Sequence, residues 1–475
     1  MTEVHISPAG NDAWSGRSSD TDGQDGPVST LVRGRDIVRE ILSSPSHGRI
    51  TVSVHAGEYR LGETLDFIEK DSGLPEAEVT WQAVQGEKIA VTGSIPIDSI
   101  GPAPGPVPAG VLKADFNVNK IPTIPDIEPR GQPPLLLFHN GTELKMSSWP
   151  PQGWLNITDV PQENGTPIHE GLDRERRFDN VPIGRHYGKI CYSSARPGNW
   201  KESDEILLHG YWTWDWNDSF QTIAQIDKDK KIVYLKPPYH NYGYTWNQRF
   251  RFLNILEELT VPGTWCYSRK DGALYLQPPA DEDSGAYTAA VVRTPLIRMQ
   301  NCSDLTIRGF TFAESLGAGV KASACRRIRI EGCNFTHLGD NAVEIEGREN
   351  TILSCDMHDL GAGGIILDGG DRKNLEPGGN LAENNHIYDF SKWVRTYKHG
   401  IKTNGVSNSI RHNLIHDAPQ EAGYFTGNEH VFEYNEIHSV GSETGDVGAI
   451  HTGRDWTWRG TVLRYNYIHN LAGSG

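Results

Sequence analysis

The stretch ETGDVGAIHTGRDWTWRG, residues 443–460, crowds carboxylates, a histidine, arginines and two tryptophans together. Hydrolysis of a glycosidic bond needs paired carboxylates, one to protonate the leaving oxygen and one to serve as base or nucleophile. Two carboxylates held close repel, which tends to raise the pKa of one and leaves an acid beside a base. Asp446 is the leading candidate, with Glu421 and Glu443 as candidate partners. In the turn that follows, Arg454 and Asp455 offer hydrogen bonds to hydroxyls, and Trp456 and Trp458 offer faces on which a sugar ring stacks. A packed structural turn is the alternative for these four.

Such groups need elements to hold them, and the sequence after residue 293 repeats. The units NFTH, DMHD, HIYD, NLIHD, NEIHS and NYIHN place Phe335, Met357, Ile387, Ile415, Ile437 and Ile468 at successive intervals of 22, 30, 28, 22 and 31 residues. A unit of 22 with variable extra loops fits one coil of a right-handed parallel β-helix, each coil burying its inward side chains against the next. Cys302 and Cys325 recur 23 residues apart, and Cys333 and Cys355 22 apart, as stacked buried thiols do, and no zinc spacing is present among the six cysteines. Asn413, Asn435 and Asn466 suit a turn and a ladder of amides. His416, His438 and His469 raise a metal hypothesis but read as scaffold at this spacing.

Laid against itself without gaps, the repeat puts Asp340, Ala362, Lys398, Glu421 and Asp446 in one column. Alternation then sends Val343, Ile345, Ile365, Leu367, Ile401 and Thr403 inward, and Glu344, Glu346, Asp368, Lys402 and Asn404 outward. Strands in such a stack lie about 4.8 Å apart, so Glu421 and Asp446 are expected as neighbours, and Glu346 and Asp368 as a second carboxylate pair. Lys398 either joins a binding surface or neutralises the acidic pair. His451 falls in an inward column with Thr403 and Thr426, which makes it structural. The loop 369–384 is a candidate wall for the groove.

Towards the N-terminus, STLVRGRDIVREIL predicts a capping helix with Ser29 as N-cap and Leu31, Val32, Ile37, Val38, Ile41 and Leu42 on one face. RITVSVHAGEYRL and EKIAVTGSIPI alternate as short strands do. From about 130 the composition shifts to tryptophan, tyrosine and proline, with hairpin patterns turning at DKDKK and at DG. The expected organisation is therefore an all-β chain: cap and first coils over 1–129, a β-rich, sandwich-like insertion over 130–292, and β-helix coils over 293–475. The insertion's aromatics read as packed core before they read as a sugar platform.

The net charge of −16, from 45 Lys and Arg against 61 Asp and Glu, disfavours non-specific binding to nucleic acid or anionic membranes. No apolar run approaches membrane-span length, and the N-terminal residues lack the features of a secretory signal, so the chain reads as cytoplasmic, or as secreted if a leader has been removed.

VHISPAGNDAWSG with EYRL, HGYWTWDWNDSF, NILEELTVPGTWCYSRKDGALYLQPP, HNLIHDAP and YNEIHSVGSETGDVGAIHTGRDWTWRGTVLRYNYIH together resemble bacterial β-helix proteins of glycoside hydrolase family 141 and, more distantly, family 120 β-xylosidases. The resemblance implies cleavage of fucosyl or xylosyl linkages by paired acids, without a cofactor, and assigns one of them to Asp446. Related members write that stretch ETDDAGA; this chain has Gly445 at the first aspartate. The resemblance also places the second acid one coil later, beyond LAGSG, so the chain is expected to be a fragment. Two alternatives stay open. One is a polysaccharide lyase with Lys398, Lys402 or Arg395 as base and calcium held by Glu346 and Asp368; the other is a non-catalytic glycan-binding β-helix.

Overall fold

The computed structural model describes residues 2–44, 48–117, 121, 131–161, 172–178, 181–201, 205–280 and 285–473. The inward side chains stack coil on coil as their spacing requires: Phe312, Phe335, Met357, Ile387, Ile415, Ile437 and Ile468 face one another in register. All but Ile468 are buried in a single core. Register fixes the architecture, because the coils add their strands to three parallel stacks, called the first, second and third sheets below, the first two joined by the unbroken strand Val320–Glu331. The first sheet stacks Val4, Val52, Trp81, Ile307, Ile330, Ile352, Ala382, Ile410 and Phe432. The second runs from Leu65–Ile68 through Ile297–Gln300 and Val343–Arg348 to Ile450–His451. The third runs from Gly57–Arg60 to Tyr467–His469.

Asparagines, all buried except the half-buried Asn466, close the corners. Asn385, Asn413, Asn435 and Asn466 form a ladder in which each side-chain oxygen accepts from the preceding asparagine, Asn413 Nδ2 donating to Asn435 Oδ1 at 2.9 Å. Asn350, Asn380 and Asn408 form a second ladder. A column of glycines lets the coils approach closely: Gly405 has φ +95°, and a Cβ there would lie 1.9 Å from the Gly369 carbonyl oxygen. The cysteines are free thiols, five buried and Cys191 half-buried.

The helix spans Leu31–Leu42 and buries Leu31, Gly34, Ile37 and Val38, whereas Val32, expected on that face, is exposed. Its N-cap is Thr30, not Ser29. Both hydroxyls donate to Asp12, at 2.7 Å from Ser29 and 2.8 Å from Thr30, and Thr30 Oγ1 also accepts from Arg33 N at 3.1 Å. Among the described residues no helix is long and apolar enough to cross a membrane.

The chain forms two compact units, Met1–Ser94 with Ala290–Gly475, and Ile95–Ala289. The second unit starts well before residue 130, which itself lies outside the described residues. Leu112–Asp115 pairs with Ala273–Gln277 of the insertion, not with a coil, and Ile100–Pro102 pairs with Leu112–Asp115. Both expected hairpins form, one around Asp227–Lys231 and one around Gly272. Within the unit an eight-stranded and a seven-stranded sheet, both mainly antiparallel, have their own apolar clusters, and Trp200, Trp212 and Trp265 are buried in them.

Candidate functional site on the second sheet

The second sheet's strands put Val343, Ile365, Ile401, Gly423 and Ile450 in one row. The next residue of each strand points outward, giving the column Glu344, Ile366, Lys402, Tyr424, His451. A second outward column holds Glu346, Asp368 and Asn404. The gapless alignment holds for its first three coils and then slips. Ile401 pairs with Gly423 rather than Tyr424, and Gly423 pairs with Ile450 rather than Gly448. The shared glycines Gly400, Gly423 and Gly448 carried the letter match, but the loops entering the last two coils differ in length, and burial of Phe425 sets the true register.

Two expectations change as a result. Glu421 stands opposite His399, not Lys398, and opposite Gly448, not Asp446. His451 points outward beside Tyr424 instead of inward with Thr403 and Thr426; Thr426 itself faces outward, its hydroxyl donating to Asn404 Oδ1 at 2.6 Å.

The slip assembles a site. The Glu421 carboxylate is buried, and His451 Nδ1 lies 2.8 Å from its Oε1. His399 Nε2 lies 3.0 Å from Oε2, an oxygen that has no partner with hydrogen-bond geometry among the described residues. The Tyr424 ring stacks on His399 at 4.9 Å and meets His451 edge-on at 5.8 Å, and Lys402 Nζ lies 5.9 Å from the Tyr424 ring centre. Burial holds the His399 imidazole below its ordinary pKa, with the Glu421 carboxylate acting in the opposite direction. His451 is more open, its side chain 41 % exposed against 6 % for Glu421. Asp446 lies on the exposed turn two residues before Gly448, with φ 50° and no ion pair or hydrogen bond among the described residues.

The remaining candidates fall in different places. Glu443 pairs with Arg395, whose Nε lies 2.8 Å from its Oε2, so both are committed to holding the loop. Lys398 acts on Glu344, and so does Lys321, at 2.7 Å; burial works to raise the Glu344 pKa, but these cations and Asn341 hold it low. Glu346 and Asp368 are stacked as expected. Asn404 Nδ2 donates to both Asp368 oxygens, at 3.1 and 3.2 Å.

In the turn, hydrogen bonds from the Thr457 hydroxyl and amide depress the Asp455 pKa. Arg372, from the hairpin pairing Gly370 with Pro377, reaches Thr457 Oγ1 at 2.9 Å and Asp455 Oδ2 at 3.6 Å. The 369–384 loop therefore does brace this edge. Arg454 is exposed, Trp458 half-buried and Trp456 95 % exposed.

Sequence reasoning missed His399 and Tyr424 and set His451 aside. The available signal was the 22-residue interval from His399 to Glu421, the unit length itself.

The family described as right handed beta helix region matches residues 295–439. No curated protein matches the chain. Among solved structures, one described as a glycoside hydrolase superposes with TM-score 0.71 at 16 % identity, over 100 % of this chain and 95 % of that one. A structure described as XylC with xylose gives TM-score 0.47 at 14 % identity, over 92 % and 63 % of the two chains. In fold, then, the chain is similar to the first of these along its whole length, and it is an all-β, right-handed parallel β-helix.

Proposed function

We propose that this protein is a glycoside hydrolase that cleaves a fucosyl or xylosyl linkage at the outward face of the second sheet. The observation that carries the reading is the Glu421 carboxylate, buried between two imidazoles with one ring at each oxygen, and Asp446 exposed on the adjoining turn. In this reading Glu421 and Asp446 are the acid–base pair and His451 orients the Glu421 carboxylate. One coil and two residues separate them, roughly 8 Å between Cα atoms on strand geometry. Retention or inversion follows from the separation of the two carboxyl groups, which the anomer of the product reads. Trp456 supplies a stacking face at the rim, and Lys402 and Tyr424 supply hydrogen bonds to the sugar. The glycoside hydrolase fold match supports the reading at the level of fold.

The test is turnover of aryl α-fucosides and β-xylosides by the intact chain, with the anomer of the first product read by NMR. Glu421→Gln and Asp446→Asn should each lower kcat by about 10²–10⁴-fold with the circular dichroism unchanged. Full activity in either variant would remove that residue from the pair. An unsaturated, ultraviolet-absorbing product from a uronic-acid polymer would instead favour the lyase chemistry, with Tyr424 or His451 as base and Lys402 as the stabilising cation.

A further inference from the structure

In the second unit, the eight-stranded sheet turns Trp265, Tyr267, Leu274 and Leu276 to one face and Cys266, Ala273 and Tyr275 to the other, as alternation along the hairpin requires. Short segments cover the second face. Val107, from the loop between Ile100–Pro102 and Leu112–Asp115, packs on it, and so do Leu256 and Leu259, at the turn Leu256–Glu258. The cover is incomplete and leaves a cleft of about 730 Å³, a volume typical of sites for small ligands.

The cleft is held in shape by bonds that leave its floor apolar and its rim polar. Asn254, buried with φ 63°, donates through Nδ2 to the Glu205 and Tyr267 carbonyls, at 3.0 and 3.2 Å, and accepts from Tyr267 N at 2.9 Å. That ties the turn to the sheet. Tyr275 OH donates to Asp271 Oδ2 at 2.9 Å, and Lys201 N donates to Glu257 Oε1 at 2.8 Å. Among the described residues that line the cleft, the carboxylates Glu205, Glu257 and Asp271 stand against the lysines Lys201, Lys228 and Lys270. Opposite charges therefore balance, and net charge selects neither an anion nor a cation. The carboxylates reach close to the floor, where they add to burial in pushing the Cys266 thiol up.

We propose that this cleft is a carbohydrate-binding site that takes a neutral oligosaccharide. A pyranose ring presents an apolar C–H face and an edge of hydroxyls that each donate and accept. Val107, Leu256 and Cys266 suit the face. Carboxylates as acceptors and ammonium groups as donors suit the hydroxyls, and hydrogen bonds to charged groups are the stronger kind. None of these residues belongs to the coils, so the site stands or falls apart from hydrolysis at Glu421 and Asp446.

The test is amide hydrogen exchange of the intact chain, read by mass spectrometry, with millimolar xylotetraose, cellotetraose or 2′-fucosyllactose. At least one of these should slow exchange at Leu256–Glu258 and around Gly272, while tetragalacturonate and spermidine do not. Glu257→Ala and Asp271→Ala should each weaken that binding roughly tenfold, as loss of a hydrogen bond to a charged group does, and Leu256→Trp, which fills the floor, should abolish it. Circular dichroism of each variant checks that loss of binding is not loss of fold. Asp446→Asn leaves the protection unchanged, so failure of the hydrolase reading and failure of this one show separately. No protection by any of the three oligosaccharides overturns the proposal. So does protection by the charged probes instead, or protection that survives in all three cleft variants.

Discussion

His430 is buried, and the main chain fixes its protonation. Its Nδ1 lies 3.2 Å from Asn408 N, which donates to it, and its Nε2–H donates to the Thr426 carbonyl at 2.8 Å. A protonated ring would lose the first bond, and burial depresses the pKa of both His430 and His399. The unfolded chain therefore takes up these protons first, beginning near the ordinary histidine pKa of about 6.5. Their stabilisation is full above that pH and is lost as the pH falls through it towards the depressed folded values. The thermal midpoint should drop by several degrees between pH 7.5 and 5, and the slope should lessen in His430→Gln; a flat profile would show that the rings do not gate stability. At this scale the sequence was a partial guide. The stacking of Glu346 on Asp368 is legible from alternation, whereas the column that set Glu421 beside Asp446 slips in the last two coils. His399, Tyr424 and His451 are not legible, because a one-residue slip moves a side chain to the other face and single letters do not weigh loop lengths.

The element that holds the coils in register is the buried asparagine ladder. Asn413 accepts from Asn385 N and Nδ2, at 3.0 and 2.9 Å, and donates to Ala382 O and Asn435 Oδ1, at 3.0 and 2.9 Å. Asn413→Ala leaves several of these groups buried without partners and should cost roughly 3–5 kcal/mol, read as a lowered denaturant midpoint with little change in the folded spectrum. Repeating units made Asn413, Asn435 and Asn466 readable as a ladder from the sequence, since periodicity averages over single residues, whereas Asn385 and the second ladder were not foreseen. The helix was readable in extent but not in cap: Ser29 and Thr30 are both good caps and both hydroxyls donate to Asp12, and only the position of Thr30 Oγ1 to accept from Arg33 N decides between them. The insertion's early start was hidden for a different reason. The strand at Leu112–Asp115 looks local in sequence, yet its partner lies at Ala273–Gln277.

For the molecule as a whole, the chain leaves the coils and returns to them at one point, where Val291 N donates to Gly93 O at 3.0 Å. Joining Ser94 to Ala290 through a short Gly/Ser linker should therefore leave the coiled unit folded, with its parallel-strand circular dichroism and a cooperative melt; a molten spectrum would show that the insertion is needed for folding. The pairing of strands across the insertion bears on the order of assembly. Leu65 pairs with Ile297 and Val79 with Leu305, across the entire insertion. Closing an unstructured loop of roughly 200 residues to form these pairs costs about 5 kcal/mol of chain entropy. An insertion that folds first brings its own ends together and reduces that closure to a few residues. The N-terminal coils are then the slow step of folding, waiting on a domain that lies between them and their partners in sequence but outside their core.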